Sequence, residues 1–302
     1  MEQLEHDNWR GNTGGTTFLR RALTASLRHV PLWLVYLGMA VFFVPFYVVA
    51  LPKNFRAMYH YFRERRGENA LMAYLHTWQN HYRFGQIVVD RFAVYAGKKF
   101  RYDLDGNDTF LKLLHGDSGF IVLSSHVGNF ELAGYAFKPE GKRYNALVFS
   151  GEQKDVMEQR NQVFAANGIR MIPVSEDMSH IFLMNEALAD GEIVSLPADR
   201  VFGSPRYVEC DFMGSKARFP LGPFAMALQR GVPTIVLLVM KESTHVYKVF
   251  VREVKAEDRK FASRNEKAAS LAQSFAHELE EVLKQYPEQW FNYFEFWHQD
   301  GE

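Results

Sequence analysis

Between residues 120 and 197 the chain alternates short apolar runs with longer stretches of helical spacing. The pattern predicts strands over 120–125, 145–150, 169–174 and 192–197, separated by helices over 129–137, 154–167 and 177–189. A further strand is expected over 246–254, and an amphipathic helix over 266–284. Alternation of this kind implies an α/β fold, with a central mixed sheet flanked by helices and ligands held beyond the strand ends.

The N-terminal pattern is different. Residues 30–52 carry no charge and are long enough to cross the hydrocarbon core of a bilayer as a helix, so a membrane-associated apolar helical segment is expected there. Pro45 interrupts it. A helix broken at that residue, dipping in and returning, would keep Arg20, Arg21 and Arg28 on the same side as Lys53, Arg56, Arg63, Arg65 and Arg66. Residues 68–98 have the spacing of one or two amphipathic helices. The expected organisation is a polar and basic leading segment over 1–29, the apolar segment over 30–52, and an α/β domain over 53–302. The leading segment lacks the plan of a cleaved signal peptide.

Composition narrows the function classes. With 47% hydrophobic residues in 302, the chain can bury a sizeable core, which excludes disorder. Lys plus Arg equals Asp plus Glu at 35 each, so no overall basic field favours nucleic acid, and no nucleic-acid partner is expected. The single cysteine, Cys210, excludes an internal disulfide and a thiolate cluster, and its neighbours Glu209 and Asp211 make it a poor nucleophile. His76 and His81 stand five apart, not at the i, i+4 spacing of a helical metal pair. Residues 103–108 resemble a calcium loop only superficially. Gly106 comes too early and Leu114 stands where a bidentate glutamate belongs, so a short helix capped by Asn107 or Asp108 is expected instead. No metal site is expected.

The chemistry concentrates in Val122-Leu-Ser-Ser-His126-Val-Gly-Asn129-Phe-Glu131-Leu-Ala-Gly134. An apolar strand ends in serines and a histidine, then Gly128 and Asn129 signal a turn and a helix start. His126 therefore lies on a strand-to-helix turn, and Glu131 in the first helical turn is expected to reach back to its ring. None of the other ten of the eleven histidines has an acid at that offset. A base with an orienting carboxylate takes a proton from an attacking hydroxyl, while loop amides stabilise the oxyanion, so acyl transfer is the implied reaction class. Arg170 and the pair Asp199-Arg200 lie near other predicted strand ends, from which they are expected to converge on His126.

His126 to Glu131 resembles the His-x4-Asp/Glu box of the glycerolipid acyltransferases, in the acidic variant typical of the late acyltransferases of lipid A biosynthesis. Further stretches are similar to the latter family: 212–223, Gly231-Val232-Pro233, and the ending Pro287-Glu288-Gln289-Trp290. The likeness covers roughly 100–298 well. Where glycerolipid acyltransferases carry a Pro-Glu-Gly-Thr phosphate box, this chain has Leu196-Pro197-Ala198-Asp199-Arg200, whose acid is a poor phosphate ligand.

The resemblance implies a glycerolipid-acyltransferase-like fold and a membrane-bound O-acyltransferase at the cytoplasmic face of the bacterial inner membrane. His126 and Glu131 would be catalytic, with Arg170, Asp199, Arg200 and Asn129 binding substrate. The donor would be acyl carrier protein or CoA thioester, so acyl carrier protein and the bilayer are expected partners and no cofactor is needed. The acceptor would be a lipid A precursor, with an aminolipid or lysophospholipid as the alternative. Outside enzymes the alternative is a non-catalytic, membrane-peripheral lipid-binding protein.

Overall fold

The computed structural model describes residues 17–136, 141–148, 154–175, 177–201 and 206–297. The described residues open with helices α1 (Thr17–Leu27), α2 (Leu32–Gly38), α3 (Val44–Ala50), α4 (Pro52–His60) and the long α5 (Ala70–Tyr95). A π turn over Met39–Phe43 joins α2 to α3, so residues 32–50 form one continuous apolar helix. The expected break at Pro45 does not occur. The π turn relaxes the i→i−4 ladder, and proline, which has no N–H to donate, sits in the first turn of α3 where none is required. The chain turns instead at Leu51, whose ψ of 65° reflects the restriction imposed by Pro52.

This apolar helix packs one face on α5, burying Leu32, Tyr36, Met39 and Val44 together with Val89, Phe92 and Ala93. The approach is close at Gly85, where a Cβ would lie 2.3 Å from Met39 Sδ. The opposite face leaves Trp33, Leu37, Phe42, Phe43, Phe46 and Val49 exposed. Asn69 caps α5 by accepting from the Met72 N–H at 2.9 Å.

After α5 come β1 (Arg101–Asp105), α6 (Asn107–Leu114), β2 (Phe120–Ser124) and α7 (Ala133–Ala136), then β3 (Tyr144–Val148), α8 (Lys154–Ala166), β4 (Ile169–Pro173), α9 (Ser179–Ala189) and β5 (Ile193–Pro197). A hairpin of β6 (Tyr207–Phe212) and β7 (Ser215–Pro220) follows, then α10 (Leu221–Arg230), β8 (Thr234–Lys241), β9 (Val246–Glu253) and α11 (Arg264–Gln285). The central sheet has the order β1-β9-β8-β2-β5-β3-β4. It is mixed, because β8 and β9 are antiparallel while β8, β2, β5, β3 and β4 run parallel.

Every residue of β2 is buried, as a central strand covered on both faces requires. Ile121 and Leu123 enter the core shared with α9, α10 and α11, while Phe120 and Val122 enter the one on the other face, with Phe110 of α6. The expected cap by Asn107 or Asp108 is replaced by Gly106, which takes φ 94°. Both β1 and the β6–β7 hairpin lay outside the periodicity reading. The hairpin turns at Met213-Gly214, both with positive φ.

Candidate active site

In β2 and β5, which run side by side, Ser124 stands opposite Pro197, so two residues further on His126 and Asp199 leave the same end of the sheet level with each other. The Ala198 N–H donates to Ser124 O at 2.9 Å and extends the pairing past the strand ends. Asp199 then accepts from the His126 backbone N–H at 2.7 Å and from the ring Nδ1 at 2.9 Å. Its carboxylate is 1% exposed and the imidazole 25%. Burial pushes the Asp199 carboxyl up, but His126 and Arg200 outweigh it and hold the pKa below the usual range. An ionised carboxylate only accepts, so Nδ1 carries the hydrogen and Nε2 the lone pair. Burial, aided by the Arg200 charge, holds the imidazole pKa below 6.5 despite Asp199, which favours neutral histidine at neutral pH.

Glu131 does not occupy the expected place on the ring. Its Oε1 accepts from Arg91 Nη1 of α5 at 2.9 Å and from Arg160 Nη2 of α8 at 2.7 Å. All three side chains are largely buried. Burial alone would raise the Glu131 pKa, but the two guanidiniums lower it on balance. The five-residue offset carries Glu131 into a 3-10 turn over Phe130–Leu132, from which its side chain meets α5 and α8 instead of His126. Phe130 of the same turn packs edge-on against the His126 ring with centroids 5.6 Å apart.

Arg170 is not part of this cluster. It is the second residue of β4 and stands opposite Asn145, the second residue of β3. It therefore lies toward the amino end of the sheet, whereas His126 and Asp199 follow carboxyl ends three and two strands away. Arg200 is close to the site but committed to the protein: Nη2 donates to Phe291 O at 2.7 Å and the guanidinium lies 5.5 Å from the Phe294 ring centroid. Asn129 is buried, its Nδ2 donating to Tyr247 Oη at 3.2 Å. Arg200 and Asn129, both expected at the substrate, thus also hold internal contacts.

The turn itself is held from two sides. The Gly128 N–H donates to Gln289 O at 2.8 Å, the Asn129 N–H to Val239 O at 2.7 Å, and the Phe291 N–H to His126 O at 2.9 Å. Gly128 has φ 60° and a Cβ there would lie 2.1 Å from Val239 O, so only glycine fits. The amides of His126, Gly128 and Asn129 are therefore committed, which removes three of the loop donors expected to meet an oxyanion. Val127 pairs with Trp290 without hydrogen bonds between the two, so the Val127 N–H points away from the C-terminal segment.

Arg91, Arg160 and Gln289 were not legible as site residues. Each is an ordinary polar residue on a helix or turn, with no local mark of burial. Gln289 lies in the stretch read as a family ending, and its amide accepts from Lys241 N at 2.8 Å and donates to Lys241 O at 2.9 Å. Trp290 is buried amid Tyr61, Phe212, Phe296 and Trp297 and so packs the core. Cys210 is buried, and burial pushes its thiol up to about 12. Among the described residues no three His, Cys, Asp or Glu side chains gather as metal ligands.

The model of the bacterial lipid A biosynthesis acyltransferase family matches residues 84–298, a span that contains the whole sheet and the His126 site. No curated protein matches the chain.

Proposed function

The chain belongs to the bacterial lipid A biosynthesis acyltransferase family, and from that membership we propose that it moves a fatty acyl group from a thioester to a hydroxyl of a lipid A precursor, with His126 as base and Asp199 as its orienting carboxylate. The observation that carries this reading is the double hydrogen bond from His126 to Asp199, which puts the basic lone pair on Nε2. The acceptor hydroxyl gives its proton to Nε2 as its oxygen attacks the thioester carbonyl. The tetrahedral intermediate collapses, the C–S bond breaks, and the imidazolium returns the proton to the departing sulfur. The acyl group is then an ester and the thiol is free. Asp199 stabilises the imidazolium while it exists. The thioester already carries the activation, so this route calls on no metal or redox cofactor. Glu131, clamped by Arg91 and Arg160, fixes the end of the loop that follows the base.

Acyl carrier protein is the donor carrier we favour, with CoA as the alternative. The bilayer enters through the exposed face of the 32–50 helix. A face carrying Trp33, Phe42, Phe43 and Phe46 is apolar enough to seat in lipid, and Lys53, Arg56 and Arg63 follow it at the exposed surface, suited to anionic headgroups on the cytoplasmic side. The test is lipid mass spectrometry of cells with and without the protein, joined to an assay of the purified enzyme with acyl carrier protein thioester. A lipid A species heavier by one acyl group, absent with His126→Ala, is expected. The same gain on an aminolipid or lysophospholipid would replace the acceptor. An unchanged lipid profile together with an inert purified protein would favour a lipid-binding role.

A further inference from the structure

A second buried cluster lies behind the His126 turn. Asp90 of α5 and Lys241 at the end of β8 are both fully buried and form an ion pair, Nζ to Oδ2 at 2.5 Å. The Asp90 carboxylate also accepts from the hydroxyls of Tyr36 and Tyr247. Lys241 Nζ donates to Tyr36 Oη at 3.1 Å as well. Three donors from three other elements, the apolar helix, β8 and β9, thus meet at one carboxylate of α5.

Three of these elements, β9, β8 and α5, also reach the His126 turn. Tyr247 Oη accepts from Asn129 Nδ2 at 3.2 Å. The backbone of Lys241 is held by the side chain of Gln289, whose own carbonyl accepts the Gly128 N–H. Two residues before Lys241, the Val239 carbonyl accepts the Asn129 N–H. The next residue of α5, Arg91, reaches Glu131 at the far end of the turn. α5 therefore holds the turn directly at Glu131 and, through Tyr247 and Lys241, at Asn129 and Gly128, and Tyr36 ties that hold to the helix whose other face is apolar and exposed.

We propose that Asp90 is a positioning residue: its carboxylate joins the 32–50 helix to the His126 turn, so that the seating of that helix sets the order of the turn. A buried charge pair is a poor source of net stability, since its desolvation offsets its attraction, but it specifies one arrangement of the groups around it. The consequence for chemistry rests on the reading of His126 as the base. The structural coupling does not.

Asp90→Asn leaves Lys241 without its counter-charge and risks misfolding, so the informative variants remove one hydroxyl each: Tyr36→Phe and Tyr247→Phe. Hydrogen–deuterium exchange is measured on the full-length protein in phospholipid nanodiscs. Peptides spanning 126–132 are expected to exchange about tenfold faster in both variants, while those spanning 120–124 keep their rates. Turnover is expected to fall with the acceptor KM held within about twofold, because the turn and not the binding surface has loosened. Tyr36→Phe is the decisive variant, since its hydroxyl touches no residue of the turn. Unchanged exchange at 126–132 in that variant, with only a lower melting temperature, overturns the proposal. Faster exchange with unaltered turnover supports the coupling and counts instead against His126 as the base.

Discussion

Asp199 meets His126 twice, accepting from its backbone N–H at 2.7 Å and from ring Nδ1 at 2.9 Å. The carboxylate thereby fixes the tautomer of the ring and the path of the chain that carries it. Asp199→Asn keeps the shape but presents an NH2 that favours the wrong tautomer. We expect turnover to fall by about two to four orders of magnitude with melting changed by only a few degrees. Steady-state kinetics beside calorimetry checks this, and near-normal turnover would remove Asp199 from the mechanism.

Glu131 should behave in the opposite way. Glu131→Gln leaves Arg91 and Arg160 facing a neutral group in a largely buried setting, for an expected stability loss of about 3 kcal/mol or more. Denaturant unfolding reads this directly. Lost turnover at unchanged stability would return Glu131 to the chemistry.

The pH profile follows from the lowered imidazole pKa. Burial first, and Arg200 second, outweigh Asp199, so protonation of free enzyme and the acid limb of kcat/KM should lie below pH 6.5. The stability sign is fixed too. The unfolded chain binds this proton at higher pH than the folded one, so the contribution is present above 6.5 and is lost as pH falls through the folded value. In Arg200→Gln the limb should move to higher pH. A wild-type limb above 6.5 would contradict the assignment of His126 as the titrating base.

Arg170→Ala should leave turnover within about twofold, because Arg170 stands toward the amino end of the sheet. A loss of a hundredfold with intact folding would mean that substrate reaches that end of the molecule.

Replacing Trp33, Phe42 and Phe46 together by serine removes three side chains exposed on the apolar helix. If each seats in lipid, the bilayer affinity lost is about 5–9 kcal/mol, and the variant should shift from the membrane pellet to the supernatant with its melting in detergent little changed. Retention in the pellet would place the attachment elsewhere.

Much of the architecture was written locally. Alternating apolar runs predicted the strands and helices from 120 to 197, and an uncharged stretch predicted the apolar helix, because periodicity and composition are properties of neighbouring residues. His126 stood out for the same reason, as a histidine on a strand-to-helix turn. Its partner did not, since Asp199 reaches it only through the register of two strands more than seventy residues apart in the chain. The position of Arg170 had a sign in the order of residues: it opens its strand as the second residue, whereas His126 and Asp199 follow theirs, and parallel strands send those positions to opposite ends. Asp90, Arg91, Arg160 and Lys241 looked like any surface charges, because nothing local tells a charge that will be buried and paired from one that will face water. Tertiary packing alone decided that Asp90 would meet a lysine and two tyrosines, and that Glu131 would meet two arginines instead of the histidine five residues before it.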